Sequence, residues 1–455
     1  MLLCLTISNT DVVVLRQYDE GIDYIEHLSG DSLTVVWSKK IPHLYEEEWK
    51  NYQLYTCEGK LYFVATALFS DRDSVGCFYI AIDLATGKMQ PKTWLARDAK
   101  KRKNMQFGSY SSKCSEDSTK LLVARYNYSP LVEEEKPFVT LDASVFETAT
   151  MSLYTEGHLD LSLYKDIDDD SADVNESLRG LEIDNAGNVY QLRFSKHDTI
   201  DMIRWDVKAN TSQTLTTSFQ GLDITDNDLC FDWPQLLVRG DKAIFAATKH
   251  DGDKEIAKRF CCAQFDFRSK LVTIKTQYVP APSELKSMYG TEDLEPFIIK
   301  DVALAADGTI VLISELTKLT YVTTGWISKG TASTEKMMQY GGLLIVGIDT
   351  TAKVKWVSFL NKWSANGPPK HYRLFARNNE LRFLYHEPDS GNLAFRILDY
   401  RTGALSIEAF RLIALEGKEN CGYHWGTWLD EHNAVFPFHT GTGEQDIYFQ
   451  KLSVN

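Results

Sequence analysis

The chain has eight cysteines but no CxxC pair, and no Cys/His spacing suits zinc. It has no apolar run long enough to span a bilayer; "LLIVGI" (Leu343–Ile348) is among the longest and is broken by glycine. No G-x-S-x-G elbow, GxGxxG loop, P-loop or HExxH occurs, so the visible signatures of serine hydrolases, nucleotide binders and zinc peptidases are missing. Positive charge is scarce. Lys and Arg total 49 against 63 Asp and Glu, a net charge of −14. Such a surface repels phosphate backbones and excludes nucleic acid as a partner. The one basic cluster, "RDAKKRKNMQ" (Arg97–Gln106), lacks interleaved aromatics and reads as a solvated loop. No Pro/Ser-rich linker divides the chain, and "PSELKSMYG" from Pro282 reads as no more than a short helical turn. The start, "MLLCLTISNTD", lacks a basic leader and a small-residue cleavage site, and stays open between a true N-terminus, a strand and the remnant of a signal. Cys57, Cys77, Cys261 and Cys262 lie in apolar, strand-like stretches, as buried free thiols do, which leans towards a reducing compartment.

What is present favours strands. Aromatics reach 12%, with 22 Tyr and 22 Phe. A polar turn followed by an apolar strand recurs in "CEGKLYFVAT", "EDSTKLLVARY", "DNAGNVYQLRF", "RGDKAIFAAT", "AADGTIVLISE", "RNNELRFLYHE" and "DEHNAVFPFH". Copies stand about 53 to 72 residues apart, within reach of a four-stranded blade with long loops. A second pattern follows each copy: a strand ending in a polar residue, a tight turn, and another strand. "CFYIAIDLATGKM", "RFCCAQFDFRSKLVTIKT" and "AFRILDYRTGALSIEAF" are clear examples. Asp bonds its own turn, and Gly accepts positive φ. The fold expected is all-β: one β-propeller of four-stranded antiparallel blades over residues 1–455. Seven blades are favoured and eight remain open. Strands at about 11–40 and 423–455 would lie together at the closure, which removes exposed edges.

In such blades, strands a to d alternate in direction, so the a–b and c–d turns share one face and the b–c and d–a loops share the other. The first set is tight here. The second is long: Leu316–Gly342, which carries Trp326, and the segments Tyr154–Ser177, Trp94–Lys113 and Gln277–Pro296. Long irregular loops gathered on a rigid scaffold form a binding surface when they are not merely tolerated insertions.

Two clusters carry chemistry. In "CGYHWGTWLDEHNAVFPFHTGTGEQD", His424, Trp425, Trp428, His432 and His439 fall close together. A ring ligand would stack on the tryptophans and bond a histidine; the alternative is ordinary packing. In "YKDIDDDSADVNES", Asp166, Asp168 and Asp170 match the first three EF-hand ligands. Ser171 replaces the required Gly, and Glu176 falls one position before the closing ligand. This leaves two readings: a looser calcium site on Asp166, Asp168, Asp170 and Asp173, or a solvated acidic loop.

"FGSYSSKCSEDSTKLLVARYN", "LEIDNAGNVYQL" and "VALAADGTIVLISE" with "LLIVGIDTTAKVKWVSFLNK" resemble a group of uncharacterised bacterial propeller-like proteins, over about Trp37–Asn392. The resemblance implies the fold. It also implies a periplasmic or envelope location, because members of the group often carry an export signal. It transfers no catalytic residue. The functional expectation is a non-catalytic binding or scaffold propeller whose long-loop face holds a protein, peptide or glycan. The alternatives are a glycoside hydrolase or lyase at the axial funnel, and a structural module of an envelope assembly. The sequence indicates no oligomeric state.

Overall fold

The computed structural model describes residues 2–17, 23–30, 32–41, 47–69, 75–97, 106–107, 110–128, 139–161, 180–195, 199–219, 231–250, 257–278, 297–324, 333–360, 362, 364–365, 372–377, 380–386, 393–406, 410–412, 419–421, 427–429, 433–440 and 447–453. They form eight antiparallel sheets, seven of which pair their four main strands in chain order, the blade unit of a β-propeller, and this is the chain's fold class. Blade 1 is Leu2–Thr6, Asp11–Gln17, Asp23–Ser29 and Thr34–Lys40. Blade 2 is Glu47–Cys57, Lys60–Phe69, Val75–Asp83 and Thr93–Arg97. Blade 3 is Ser111–Cys114, Lys120–Tyr128, Val139–Glu147 and Ser152–Asp160, with Gln106–Phe107 added beside its second strand. Blade 4 is Leu181–Ile183, Val189–Ser195, Thr199–Asp206 and Thr211–Ser218. Blade 5 is Phe231–Arg239, Lys242–His250, Ala257–Asp266 and Leu271–Tyr278. Blade 6 is Phe297–Leu304, Ile310–Thr324, Ser333–Ile348 and Val354–Leu360. Blade 7 is Arg373–Arg377, Glu380–His386, Leu393–Asp399 and Phe410–Leu412. In the last sheet, Glu419–Cys421 and Thr427–Trp428 both pair with Asn433–Thr440, which pairs in turn with Ile447–Ser453.

Blade 1 is therefore complete from N-terminal residues alone, because "LLCLT" supplies a fourth strand, which pairs with Val12–Arg16. Among the described residues each end sheet pairs its own strands, and the eight sheets are the count that the sequence left open beside seven. The sheets number eight, and the eighth stops at its third strand position among the described residues. The residues cluster into two compact units. One holds blades 1–4 and the two tight turns of blade 5; the other holds the body of blade 5 and blades 6–8.

Continuous apolar strands explain how blades stack. Along the second strand of blade 3, Leu121 and Val123 pack with Tyr62, Val64 and Cys77 of blade 2. The intervening Leu122 and Ala124 pack with Leu181, Ile183 and Val189 of blade 4. Blade 6 repeats this, with Ile310 and Leu312 meeting blade 5 and Val311 and Ile313 meeting blade 7. A strand covered on both faces loses the apolar–polar alternation of a half-buried one, which is why "KLLVA" and "IVLIS" read as unbroken runs.

The c–d turns share one geometry. The fifth residue, counting from the acidic one, has positive φ in five blades: Gly87, Met151, Asn210, Lys270 and Gly403. Glycine stands where the preceding blade presses closest. Trp37 of blade 1 donates its indole N–H to the Leu84 carbonyl at 2.8 Å, and a Cβ on Gly87 would lie 2.7 Å from its ring. Trp356 of blade 6 donates to the Tyr400 carbonyl at 2.9 Å, and a Cβ on Gly403 would lie 2.5 Å from its ring. The two receiving turns are "DLATG" and "DYRTG". In each, the Asp Oδ1 accepts backbone N–H groups of its own turn.

Three outcomes test these turns. Gly403→Ala meets both the positive-φ cost and the Trp356 ring and is expected to lose about 3 kcal/mol. Gly240→Ala has open space and should lose about 1 kcal/mol, both read by urea unfolding. For Asp307, burial raises the carboxyl pKa, but bonds from Thr309 and the Lys355 ammonium outweigh it and hold the group at about 2. The unfolded carboxyl titrates near 4, so its stabilisation is complete above about pH 4 and disappears as pH falls through about 2. Melting temperatures of Asp307→Asn and the parent should therefore differ near neutrality and converge at about pH 2.

Candidate functional site

Charged side chains recur at the strand ends remote from the tight turns. In blade 4, Arg193 donates from Nε and Nη2 to Asp201 Oδ2 at 2.9 and 2.6 Å, and Thr216 donates to Asp201 Oδ1 at 2.5 Å. In blade 1, Arg16 pairs with Glu26 at 2.7 Å, and Ser38 donates to that carboxylate at 3.1 Å. In blade 3, Asp142 takes Asn127 at 2.5 Å, Arg125 at 3.5 Å and His158 Nδ1 at 2.5 Å. Each ladder runs from a basic residue on strand b to an acid on strand c to a hydroxyl or imidazole on strand d. Cross-strand register assembles it, as in Arg193↔Asp201↔Thr216 and Arg125↔Asp142↔His158. Burial works to raise the Asp142 pKa, but the His158 and Asn127 bonds and the Arg125 charge overcome it and hold it low. Arg125 also lies over the Tyr110 ring at 5.1 Å, and burial with the nearby Asp142 charge pushes the Tyr110 phenol up to about 12.

An Asp-oriented imidazole is chemically able to act as a base. His158 is 54% exposed on the outermost strand of its sheet, whereas the hydrolase expectation needs acid groups at an axial funnel. The other ladder charges are spent on one another. Among the described residues, no group of three or more His, Cys, Asp or Glu could hold a metal ion.

Blade 6 carries a deeper pair. Lys362 and Glu315 form a salt bridge with side chains 1% and 0% exposed. Tyr372 donates to Asp301 at 2.5 Å, and its ring lies 5.7 Å from the Lys362 ammonium. Burial pushes the lysine pKa down against the pull of Glu315, and burial with the Asp301 charge pushes the tyrosine up. The pair ties the b strand to the segment that leaves strand d.

At the opposite strand ends, the a–b turns of blades 3, 4 and 5 enclose a recess of about 210 Å³. Its floor is rigid. Asp184 Oδ1 accepts the Ala186 and Asn188 N–H groups at 3.0 and 2.8 Å, and its Oδ2 accepts the Asn188 amide at 2.8 Å and Tyr190 at 3.2 Å. The Tyr190 hydroxyl also reaches the Gly240 carbonyl at 3.1 Å, and its ring meets Phe267 edge-on. Two ion pairs cross the rim, Arg204–Asp241 and Arg239–Glu116, both at 3.2 Å. These residues carry no motif; only the turn repeat "EDST", "DNAGN", "RGDK" pointed to them.

The sequence candidates fall mostly elsewhere. Asp166, Asp168, Asp170, Asp173, Trp326, His424 and Trp425 lie outside the described residues. Trp428, on its own short strand, pairs with Ala434 of the central strand Asn433–Thr440, while His439 lies on that central strand, five positions beyond Ala434, and pairs with Asn420 and Ile447. Register thus separates those two by about 17 Å along the strand and does not bring them together. The expected irregular loop Leu316–Gly342 is largely a ladder, paired from Thr317↔Tyr340 to Thr324↔Ser333. Strands b and c simply continue past the sheet, because β-branched and aromatic residues persist through "TYVTT". Cys77, Cys261 and Cys262 are buried free thiols as expected, and Cys57 is half-buried.

No protein-family model matches the chain, and no curated protein matches it. Among solved structures it is similar to the β-propeller domain of the Trilobed protease from Pyrococcus furiosus, at 10% identity over 91% of this chain and 97% of that one, TM-score 0.38. It is also similar to the polysaccharide lyase Uly1, at 9% identity over 100% and 90%, TM-score 0.43. A third is the WD40 domain of SCAP from fission yeast, at 10% identity over 88% and 90%, TM-score 0.37. At these scores the fold rests on the chain's own strand pairing. No helix among the described residues is long and apolar enough to cross a membrane.

The buried pair makes a sharp prediction. Glu315→Ala should cost about 3–5 kcal/mol because it strands the Lys362 charge. The double change Glu315→Leu with Lys362→Met should recover most of that loss in chemical denaturation.

Proposed function

We propose that this chain is a non-catalytic binding or scaffold propeller that holds a protein, peptide or glycan partner at the strand ends opposite the tight turns. One observation carries this reading: the two ends are dressed unequally. At one end the described a–b and c–d connections are tight, self-bonded turns. At the other, the blade 6 hairpin runs eight residue pairs beyond its first strand. Ordering that much backbone costs conformational entropy that the sheet itself does not need. Its base is capped where Ser364–Ala365 pairs with Gln339–Tyr340. Beyond that point a projecting two-stranded arm offers backbone groups for strand addition and a rigid ridge for contact. The ladders of blades 1, 3 and 4 pair acid with base within each sheet, which suits a supporting frame better than a reacting centre.

The calcium reading of Asp166, Asp168, Asp170 and Asp173 stands beside this as a proposal. It requires a rise in melting temperature at roughly millimolar calcium.

The test replaces residues 317–340 with an Asn-Gly turn and screens both proteins against peptide-display and glycan arrays. The parent should bind one class. The shortened variant should keep a cooperative melt and bind at least roughly tenfold more weakly. Turnover of pooled glycans or esters by the purified parent would overturn the non-catalytic reading in favour of a hydrolase or lyase.

A further inference from the structure

The recess among the a–b turns of blades 3, 4 and 5 is a separate feature. We infer that it is a second binding site, and that it takes one neutral sugar ring through a pair of adjacent hydroxyls. The inference is independent of what the opposite end binds.

The recess holds unspent hydrogen-bond capacity. Asp184 is saturated by its own turn. Arg204 makes one ion pair, through Nη1 to Asp241 Oδ1, and its buried Nε has no acceptor. A guanidinium has five donors, so most of this fork is unused. Asp241 and Glu116 are 47% and 55% exposed, and each uses a single carboxylate oxygen in its ion pair. Asn185 accepts the Asp117 N–H at 3.2 Å through Oδ1. Its amide N–H groups stay available on an exposed turn. Donors and acceptors therefore sit side by side on planar groups whose backbones are fixed by tight turns.

Charge selects against ions. The acids on the wall and rim are offset by Arg204 and Arg239, leaving a small negative excess that opposes a phosphate or carboxylate. The two guanidinium groups oppose a cation. What remains is a neutral ligand that donates and accepts at neighbouring atoms. Adjacent hydroxyls do this, since each is both donor and acceptor. A peptide unit fits less well, because its N–H and C=O point in opposite directions across the trans bond. Ile183 and Val238 supply an apolar wall for the C–H face of a ring. A volume of about 210 Å³ is below that of sites for drug-sized ligands and suits a single ring, the end residue of a longer glycan included.

The experiment uses the full chain and saturation-transfer NMR against glucose, galactose, mannose and N-acetylglucosamine, with adenosine and a set of N-acetyl dipeptide amides as separate arms. Ala186→Trp would fill the recess from an exposed turn position, and Asp241→Asn would remove an acceptor while keeping its shape. At least one free sugar should bind the parent, and both variants should weaken it by roughly tenfold or more at unchanged melting temperature. Binding of adenosine through its ribose would extend the same diol chemistry to a nucleoside. Three results would overturn the inference: no sugar or nucleoside binds at roughly millimolar concentration, the dipeptide amides bind and the sugars do not, or both variants bind sugar as the parent does.

Discussion

Blades 3 and 6 bury two apolar faces, one against each neighbouring blade, and the rest of the structure depends on how one blade is seated on the next. Trp37 and Trp356 show the device most plainly. Each leaves the outer strand of its blade, lies over a glycine in the c–d turn of the following blade, and donates to a carbonyl of that turn. The contact is hydrophobic over the ring and polar at the indole N–H, so it sets both distance and register. It also explains the choice of residue. In five blades the turn needs positive φ at its fifth position, and of those residues Gly87 and Gly403 must also clear a tryptophan. Met151, Asn210 and Lys270 carry the same backbone strain elsewhere.

That seating divides the labour between the strand ends. The tight-turn end is stiff, because Asp and Thr side chains bond their own backbone. Its rigidity is what allows three successive turns to enclose a recess with fixed walls. The opposite end is held by buried charge: Arg–acid ladders within sheets, and the Lys362–Glu315 pair in blade 6. Such pairs contribute little net stability once desolvation is counted, but removing one partner is costly. They therefore act more as constraints on register than as sources of stability.

Much of this was legible along the chain. The polar turn and apolar strand repeat marks a–b and b in seven blades, and the Asp-led turn marks c–d, because both depend on local backbone chemistry. The N-terminal strand stayed one of three open readings, because nothing local in "LLCLT" marks it as a strand; pairing with Val12–Arg16 makes it one. The ladder in Leu316–Gly342 was read as irregular loop, since nothing local says that Thr317 will face Tyr340. The ladders were invisible for the same reason. Arg125, Asp142 and His158 are far apart in sequence and meet only through register.

The sequence by itself determined the all-β class, the repeat, the turn residues and the acidic, self-repelling character of the surface, because each follows from composition or from contacts a few residues long. Only the tertiary structure decided that the sheets number eight among the described residues, that Trp428 and His439 lie on neighbouring strands with five positions of register between them, and that Glu116, Asn185, Arg204 and Asp241 surround a common recess. Those facts depend on which strands pair and which turns of different blades adjoin. They are contacts between residues tens of positions apart, and no local pattern encodes them.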